Sequence, residues 1–310
     1  LRDQGWLRLA GRDRRDFLQR LSTNDFRRLA PGGGLPTVLC SATGRVIALL
    51  TVYAAEAVLW LRTPPGRAAA LAGYFSRLIF WNDEVEVSDE SGAVAQFGLF
   101  GPSSADLLAG LLGAGVADLP PYAWRDGEIA GVRLTVHRGG ELEVAAWTLV
   151  ASAASGDVLF TQLAQTAPQL TAGQVEVLRV ERGIPAWGHE LSDQVTPLEA
   201  GLRAAISDNK GCYTGQEVIA RQLNYDKVTR RLVGLRLPAD APVMELAGAP
   251  VGGAGKRDGF IGTAVWSPAL AGPIALAILP RDLSQPGTVA HIKHGDAEWA
   301  AEVAELPFTV

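Results

Sequence analysis

Cysteine, methionine and lysine are scarce in these 310 residues: there are two Cys, one Met, and four lysines (Lys210, Lys227, Lys256 and Lys293) among 28 basic residues. Two cysteines, Cys40 and Cys212, make no disulfide framework. No Cys-x-x-Cys or His-Glu-x-x-His spacing occurs. His291 and His294 offer two ligands where zinc sites usually need three or four, so no metal site is expected. No run reaches the roughly 18–20 apolar residues that span a bilayer. The most apolar stretch, Val46 to Leu61, is broken by Glu56 and reads as two strands and a turn. The start, Leu1-Arg2-Asp3-Gln4, leads into no long apolar region, so no signal peptide is expected. The expected compartment is the cytoplasm, with no membrane partner. A formal net charge of −5 and a pI near 5.5 argue against a general nucleic-acid surface.

Hydrophobic residues make up 48% and charged residues 20%, an ordinary globular balance that can bury a sizeable core. The length suits two domains, or three small ones. Phe17, Leu18 and Leu21 recur at helical spacing in Gly11 to Leu21, and Ser22-Thr23-Asn24-Asp25 stops that helix with turn-forming side chains. Strands are expected at Thr37–Cys40, Arg45–Tyr53 and Val58–Arg62, then a helix over Ala68–Leu78 opened by Pro64 and Pro65. Further strands are expected at Glu84–Asp89, Ala93–Phe100, Glu128–His137 and Glu141–Val150. Helices are expected at Ala105–Leu112, Gly156–Thr166 and Val175–Gly183. These groups alternate as α+β and disfavour a doubly wound sheet. From Arg231 onward, short apolar runs are separated by Gly, Pro and Asp, which marks a small antiparallel β domain. The division expected is residues 1–230, holding two interleaved α+β units that meet near 90–100, and residues 231–310.

Lys210 to Gln222 stands out. Gly211 and Gly215 bracket Cys212 and permit a tight loop with close backbone approach. Gln216 onward reads as a helix. A cysteine ahead of a helix N-terminus, two residues from Lys210, has its thiolate favoured. Two readings stand for Cys212: a reactive thiol, or a small buried core residue. Cys40 reads as a buried strand residue, and nothing in the sequence requires the two thiols to meet.

The run Lys210-Gly211-Cys212-Tyr213-Thr214-Gly215-Gln216-Glu217 resembles the signature of the YgfZ family, which is related to the glycine-cleavage T-protein, a tetrahydrofolate-dependent aminomethyltransferase. Arg14 to Asp25 resembles the N-terminal helix and turn of both. Arg179-Val180-Glu181-Arg182-Gly183-Ile184-Pro185 is similar to their Arg-x-Glu-x-Gly-x-Pro stretch, and Glu190 with Pro197-Leu198-Glu199-Ala200-Gly201-Leu202 fits as well. The resemblance covers most of residues 6 to 237.

It implies two ferredoxin-like α+β units around a central folate-binding hole, plus a C-terminal antiparallel β barrel. Tetrahydrofolate, or a one-carbon derivative, is the implied cofactor. Glu181 occupies the place of a pterin-binding glutamate; a carboxylate can accept parallel hydrogen bonds from the ring N–H and the exocyclic amine. The bland alternative is a solvated helix residue. Arg221 and Lys227 are candidates for the anionic glutamate tail, or are solvated charges. Tyr213 packs against the pterin or fills the core beneath the loop. The T-protein's early-strand aspartate is absent. By the Thr43-Gly44 turn its place falls to Ala48, and no carboxylate lies between Leu39 and Ala55. That argues against aminomethyl transfer. It favours the YgfZ branch, associated with folate-dependent assembly or repair of iron–sulfur clusters in client proteins, with Cys212 and Lys210 as the reactive pair. The alternatives are a folate-dependent transferase, and a folate-free interaction module on the same fold.

Overall fold

The computed structural model describes residues 4–252 and 259–308. The first three residues, on which the expectation of no signal peptide falls, lie outside them, as does Lys256. The described residues form two compact units. One comprises, of the described residues, 4–40, 48–169 and 204–214; the other comprises 41–47, 170–203, 215–252 and 259–308.

The first unit carries one chain pattern twice. Its first pass runs β1 (Gly5–Ala10), α1 (Arg14–Leu21), β2 (Gly34–Cys40), β3 (Val46–Ala54), β4 (Val58–Thr63), α2 (Ala68–Ser76) and β5 (Glu86–Asp89). Its second runs β6 (Val94–Leu99), α3 (Ser104–Leu112), β7 (Trp124–Ile129), β8 (Val132–Arg138), β9 (Trp147–Ser152) and α4 (Gly156–Ala164). The sheets have the orders β2-β3-β4-β1-β5 and β6-β9-β8-β7. With β2 set aside as an extra edge, the first is the split β-α-β arrangement of a ferredoxin-like sheet. The second repeats it without the last strand.

Three elements differ from the sequence expectation. Gly5–Ala10 shows no period-two alternation, yet forms β1, which pairs with both β4 and β5. An inner strand covered on both faces needs no polar alternation, and here Trp6, Leu7, Leu9 and Ala10 are all buried. The single strand expected over Glu128–His137 is instead a hairpin. Ala130 and Gly131 both have positive φ and link Ile129 to Val132 in a two-residue turn. The strand expected from Glu141 begins only at Trp147.

The second unit starts with α5 (Ala172–Glu181), whose N-terminus is closed by a reciprocal capping box between Thr171 and Gln174. It continues through α6 (Gln216–Asn224) into β10 (Arg230–Arg236), β11 (Pro250–Gly252), β12 (Gly259–Ser267), β13 (Gly272–Pro280), β14 (Val289–His294) and β15 (Ala297–Ala304). These strands close into an antiparallel barrel of order β10-β13-β12-β11-β14-β15. The α+β reading with a C-terminal barrel therefore holds. β13 is apolar throughout because both its faces are covered. Ala275, Ala277 and Leu279 point into the barrel core, while Ile274 and Leu276 pack with Val180 of α5 and with Phe308.

Candidate functional site

The Cys212 loop belongs to the first unit, and its position is set by the end of α1. That helix stops where Ser22 turns extended, and the Ser22 hydroxyl donates back to the Leu18 carbonyl at 3.0 Å. The turn that follows is stitched to residues 204–214. The Thr23 hydroxyl donates to the Ala205 carbonyl at 2.6 Å, and Asn24 Nδ2 to the Ala204 carbonyl at 3.4 Å. The Ser207 amide donates to the Thr23 carbonyl (3.0 Å) and the Thr214 amide to the Arg20 carbonyl (3.2 Å). Arg27 reaches the Asn209 carbonyl at 3.3 Å while gripping Asp25.

Lys210 is buried within this seam. Its Nζ donates to the carbonyls of Gln19 (2.7 Å), Asn24 (2.6 Å) and Ser22. Its ammonium lies 4.9 Å from the Tyr213 ring centroid and 5.9 Å from that of Phe26. Burial pulls the ammonium down to about 8, against Asp25 and together with Arg27. Two residues on, Cys212 is exposed and free. Tyr213 is partly buried, and burial, with Cys40 nearby, pushes its phenol up to about 12. Cys40 is a core thiol, held up at about 12 by desolvation. Gly215, at φ +83°, caps the N-terminus of α6 in the left-handed region that glycine adopts without strain. Ala48 is fully buried in β3.

Glu181, Arg221 and Lys227 belong to the second unit. Glu181 closes α5. The Ser267 hydroxyl donates to its Oε1 at 2.6 Å, and its own carbonyl accepts the Phe308 amide at 2.8 Å. Its neighbours in the same motif are occupied by the scaffold. Arg179 donates to Glu176, to Glu190 Oε2 (2.9 Å), to the Thr263 hydroxyl (2.6 Å) and to the Ile184 carbonyl (2.5 Å). Glu190 is fully buried, and a Cβ on Gly262 would stand 2.4 Å from its Oε1, so that bulge position has room only for glycine. Glu199 accepts from the Thr196 amide, Thr229, Arg230 and Arg45. Burial opposes its charge, but those partners, Arg230 foremost, hold its carboxyl below the usual range. Arg221 is exposed on α6. Lys227 is exposed beyond it, 5.8 Å from the Tyr225 ring, and lines an open cleft of about 690 Å³ together with Asp226, Thr229 and Arg281. Arg281 is paired there with Asp226 at 2.5 Å.

A second polar cluster, in the first unit, is not visible from sequence spacing. Arg62 of β4 forms a buried ion pair with Glu143 and donates to the Thr148 hydroxyl of β9 at 3.1 Å. Thr51 of β3 donates to Glu143 at 2.8 Å. Around it stand Trp6, Tyr53, Trp124 and His137. The cluster ties the two sheets together through charge. The one available hint was an acidic residue within an otherwise strand-like apolar stretch.

Residues 3–210 match the GCVT N-terminal domain family, and residues 230–309 match the glycine cleavage T-protein C-terminal barrel domain. The chain is 29% identical over 320 residues to an aminomethyltransferase of Moorella thermoacetica, covering 98% of this chain and 84% of that one. It is 33% identical over 236 residues to a candidate chloroplastic transferase of Arabidopsis thaliana, covering 76% of this chain and 55% of the relative's length. Its structure is similar to the glycine cleavage system aminomethyltransferase T of Bartonella henselae, with a TM-score of 0.82 at 20% identity, over 99% of this chain and 84% of that one.

Proposed function

The chain belongs to the glycine cleavage T-protein family, and on that premise we propose that it is a tetrahydrofolate-binding accessory protein of the YgfZ branch, acting in the cytoplasm on iron–sulfur client proteins. The observation that carries the reading is the exposed thiol of Cys212 on a loop fastened to the end of α1, in a chain whose early strand offers Ala48 where a transferase would need a carboxylate.

The chemistry of the second unit's residues supports a folate ligand. Glu181 is a buried carboxylate with a serine hydroxyl on one oxygen, which fixes its rotamer. A carboxylate held this way accepts hydrogen bonds from a ring N–H and an amine, the donor pattern of a pterin. Lys227, beside Arg281, and Arg221 are exposed cations suited to an anionic glutamate tail. Folate, when bound, supplies a carrier for a one-carbon group; the chain supplies the thiol. An iron–sulfur cluster would be cargo here. Clusters usually take four thiolates, and among the described residues no group of three His, Cys, Asp or Glu is placed to hold a metal. Cys212 would thus be one ligand of several, the others coming from the client.

Titration calorimetry with tetrahydrofolate tests the cofactor. The wild type should bind, and Glu181→Ala should weaken binding at least tenfold, or about 1.4 kcal/mol. Glu181→Gln should do nearly the same, because its amide presents a donor to a donor. Undiminished binding by both variants would remove Glu181 from the site. For the thiol, Cys212→Ala should fail to restore client-enzyme activity in cells lacking the protein; full restoration would end the accessory reading.

A second reading, folate-dependent aminomethyl transfer, is supported by full-length likeness to aminomethyltransferases. Turnover of an aminomethylated carrier protein with tetrahydrofolate would establish it and displace the first.

A further inference from the structure

We infer that Lys210 is a positioning residue for the Cys212 loop, which acts by docking residues 204–214 on the carboxyl end of α1 rather than by activating the thiol with its charge. This rests on the reading above only for the importance of Cys212; the geometry stands without it.

A helix leaves its last carbonyls without partners inside the helix and carries partial negative charge there. Lys210 meets that need from the other side of the seam. An ammonium has three N–H donors and no acceptor, and three carbonyls (Gln19, Ser22 and Asn24) take them all. The charge is therefore committed to the backbone of the α1 terminus. The groups facing it from the packed elements are Asp25 and Arg27, which are paired with each other, and the rings of Phe26 and Tyr213. Cys212 lies outside this enclosure, in solvent, where a charge two residues away is screened by high-dielectric water. The same docking orders the amides on either side of the thiol: Ser207 and Thr214 donate to Thr23 and Arg20, within the segment that Lys210 grips.

Activation and positioning separate cleanly in two measurements on Lys210→Met and Lys210→Arg. The pH profile of Cys212 alkylation by iodoacetamide gives its thiol midpoint, because Cys40 is buried and stays protonated over the range used. Hydrogen exchange of the Ser207 and Thr214 amides reports loop docking, with amides of α4 as the control for folding. Positioning predicts that Lys210→Met leaves the thiol midpoint within about 0.3 pH unit while exchange at Ser207 and Thr214 quickens roughly tenfold or more. Lys210→Arg should quicken exchange as well, since a planar guanidinium on a longer stem does not converge on three carbonyls as an ammonium does. A thiol midpoint raised by about one unit in Lys210→Met, with Lys210→Arg restoring it, would show an activating charge and overturn the inference. Unchanged exchange in both variants would overturn it equally. The wild type gives a check free of any substitution: acylation of Lys210 should run at least about tenfold slower than that of exposed Lys227 and Lys293, and equal rates would mean that the clamp does not form.

Discussion

Glu143→Ala should cost about 3–5 kcal/mol of stability, the usual penalty for leaving one partner of a buried ion pair uncompensated. Arg62 is the partner left behind. It is buried between two sheets, and although desolvation works against its charge, Glu143 keeps the guanidinium raised. Without the carboxylate, Thr148 at 3.1 Å and Thr51 at 3.5 Å are the acceptors that remain among the described residues, and both are neutral. A guanidinium cannot discharge itself by losing a proton near neutral pH, so the first unit must admit water or open. The double variant Arg62→Met with Glu143→Leu should recover most of the loss, since apolar groups of similar volume often replace a buried pair at little cost. Guanidinium titration followed by tryptophan fluorescence suits the measurement, because Trp6 and Trp124 lie in the adjoining cluster. A loss below about 1 kcal/mol in the single variant would mean that the pair behaves as a surface one.

That network shows where sequence reading runs out. Arg62 and Glu143 are far apart in the chain, and each alone looks like a strand-end or turn charge. Their meeting depends on how two sheets pack, which no local period encodes. Lys210 is a similar case. Its spacing to Cys212 suggested electrostatics within the loop, whereas its partners are backbone carbonyls of residues 19–24, which have no side-chain signature. What the sequence did expose was local: the alternation and turn chemistry of the barrel strands, the Ser22–Asp25 stop of α1, and Gly215 as the conformationally permissive entry to α6. β1 escaped because an inner strand buried on both faces has no alternation. The hairpin at Ala130-Gly131 escaped because an alanine with positive φ is rare, so a turn of that type is not suggested by its first residue. The two motif glutamates Glu190 and Glu199, which entered only as part of the family resemblance, are both occupied by arginines of the scaffold, which sets Glu181, held by a neutral serine, apart from them.

Acid should weaken the chain through His137 well before its carboxylates are all protonated. The imidazole is buried on β8 among Trp6, Tyr53 and Trp124, with centroids 4.3–5.8 Å away, and its Nε2 meets the Thr135 hydroxyl at 2.8 Å. Desolvation, reinforced by Arg62, lowers it to about 3 from an ordinary 6.5. The sign follows from proton counts. Above pH 6.5 neither the folded nor the unfolded chain protonates this ring, and it adds no pH dependence. Between 6.5 and about 3 the unfolded chain binds a proton that the folded chain refuses, so stability falls as pH falls, by about 1.4 kcal/mol per unit. Glu176 and Glu199, both held below their ordinary values by arginines, add a loss of the same sign at the acid end of that window. The comparison that isolates the imidazole is wild type against His137→Gln, which keeps a polar contact for Thr135 and cannot take up the proton. Its stability should be lower at pH 7, from imperfect packing, but should decline less steeply between pH 6.5 and 4.5, by about 1.4 kcal/mol per unit. The two curves would then converge or cross in mild acid. Parallel curves would mean that His137 titrates near its ordinary value when folded, and that the aromatic pocket around it admits water.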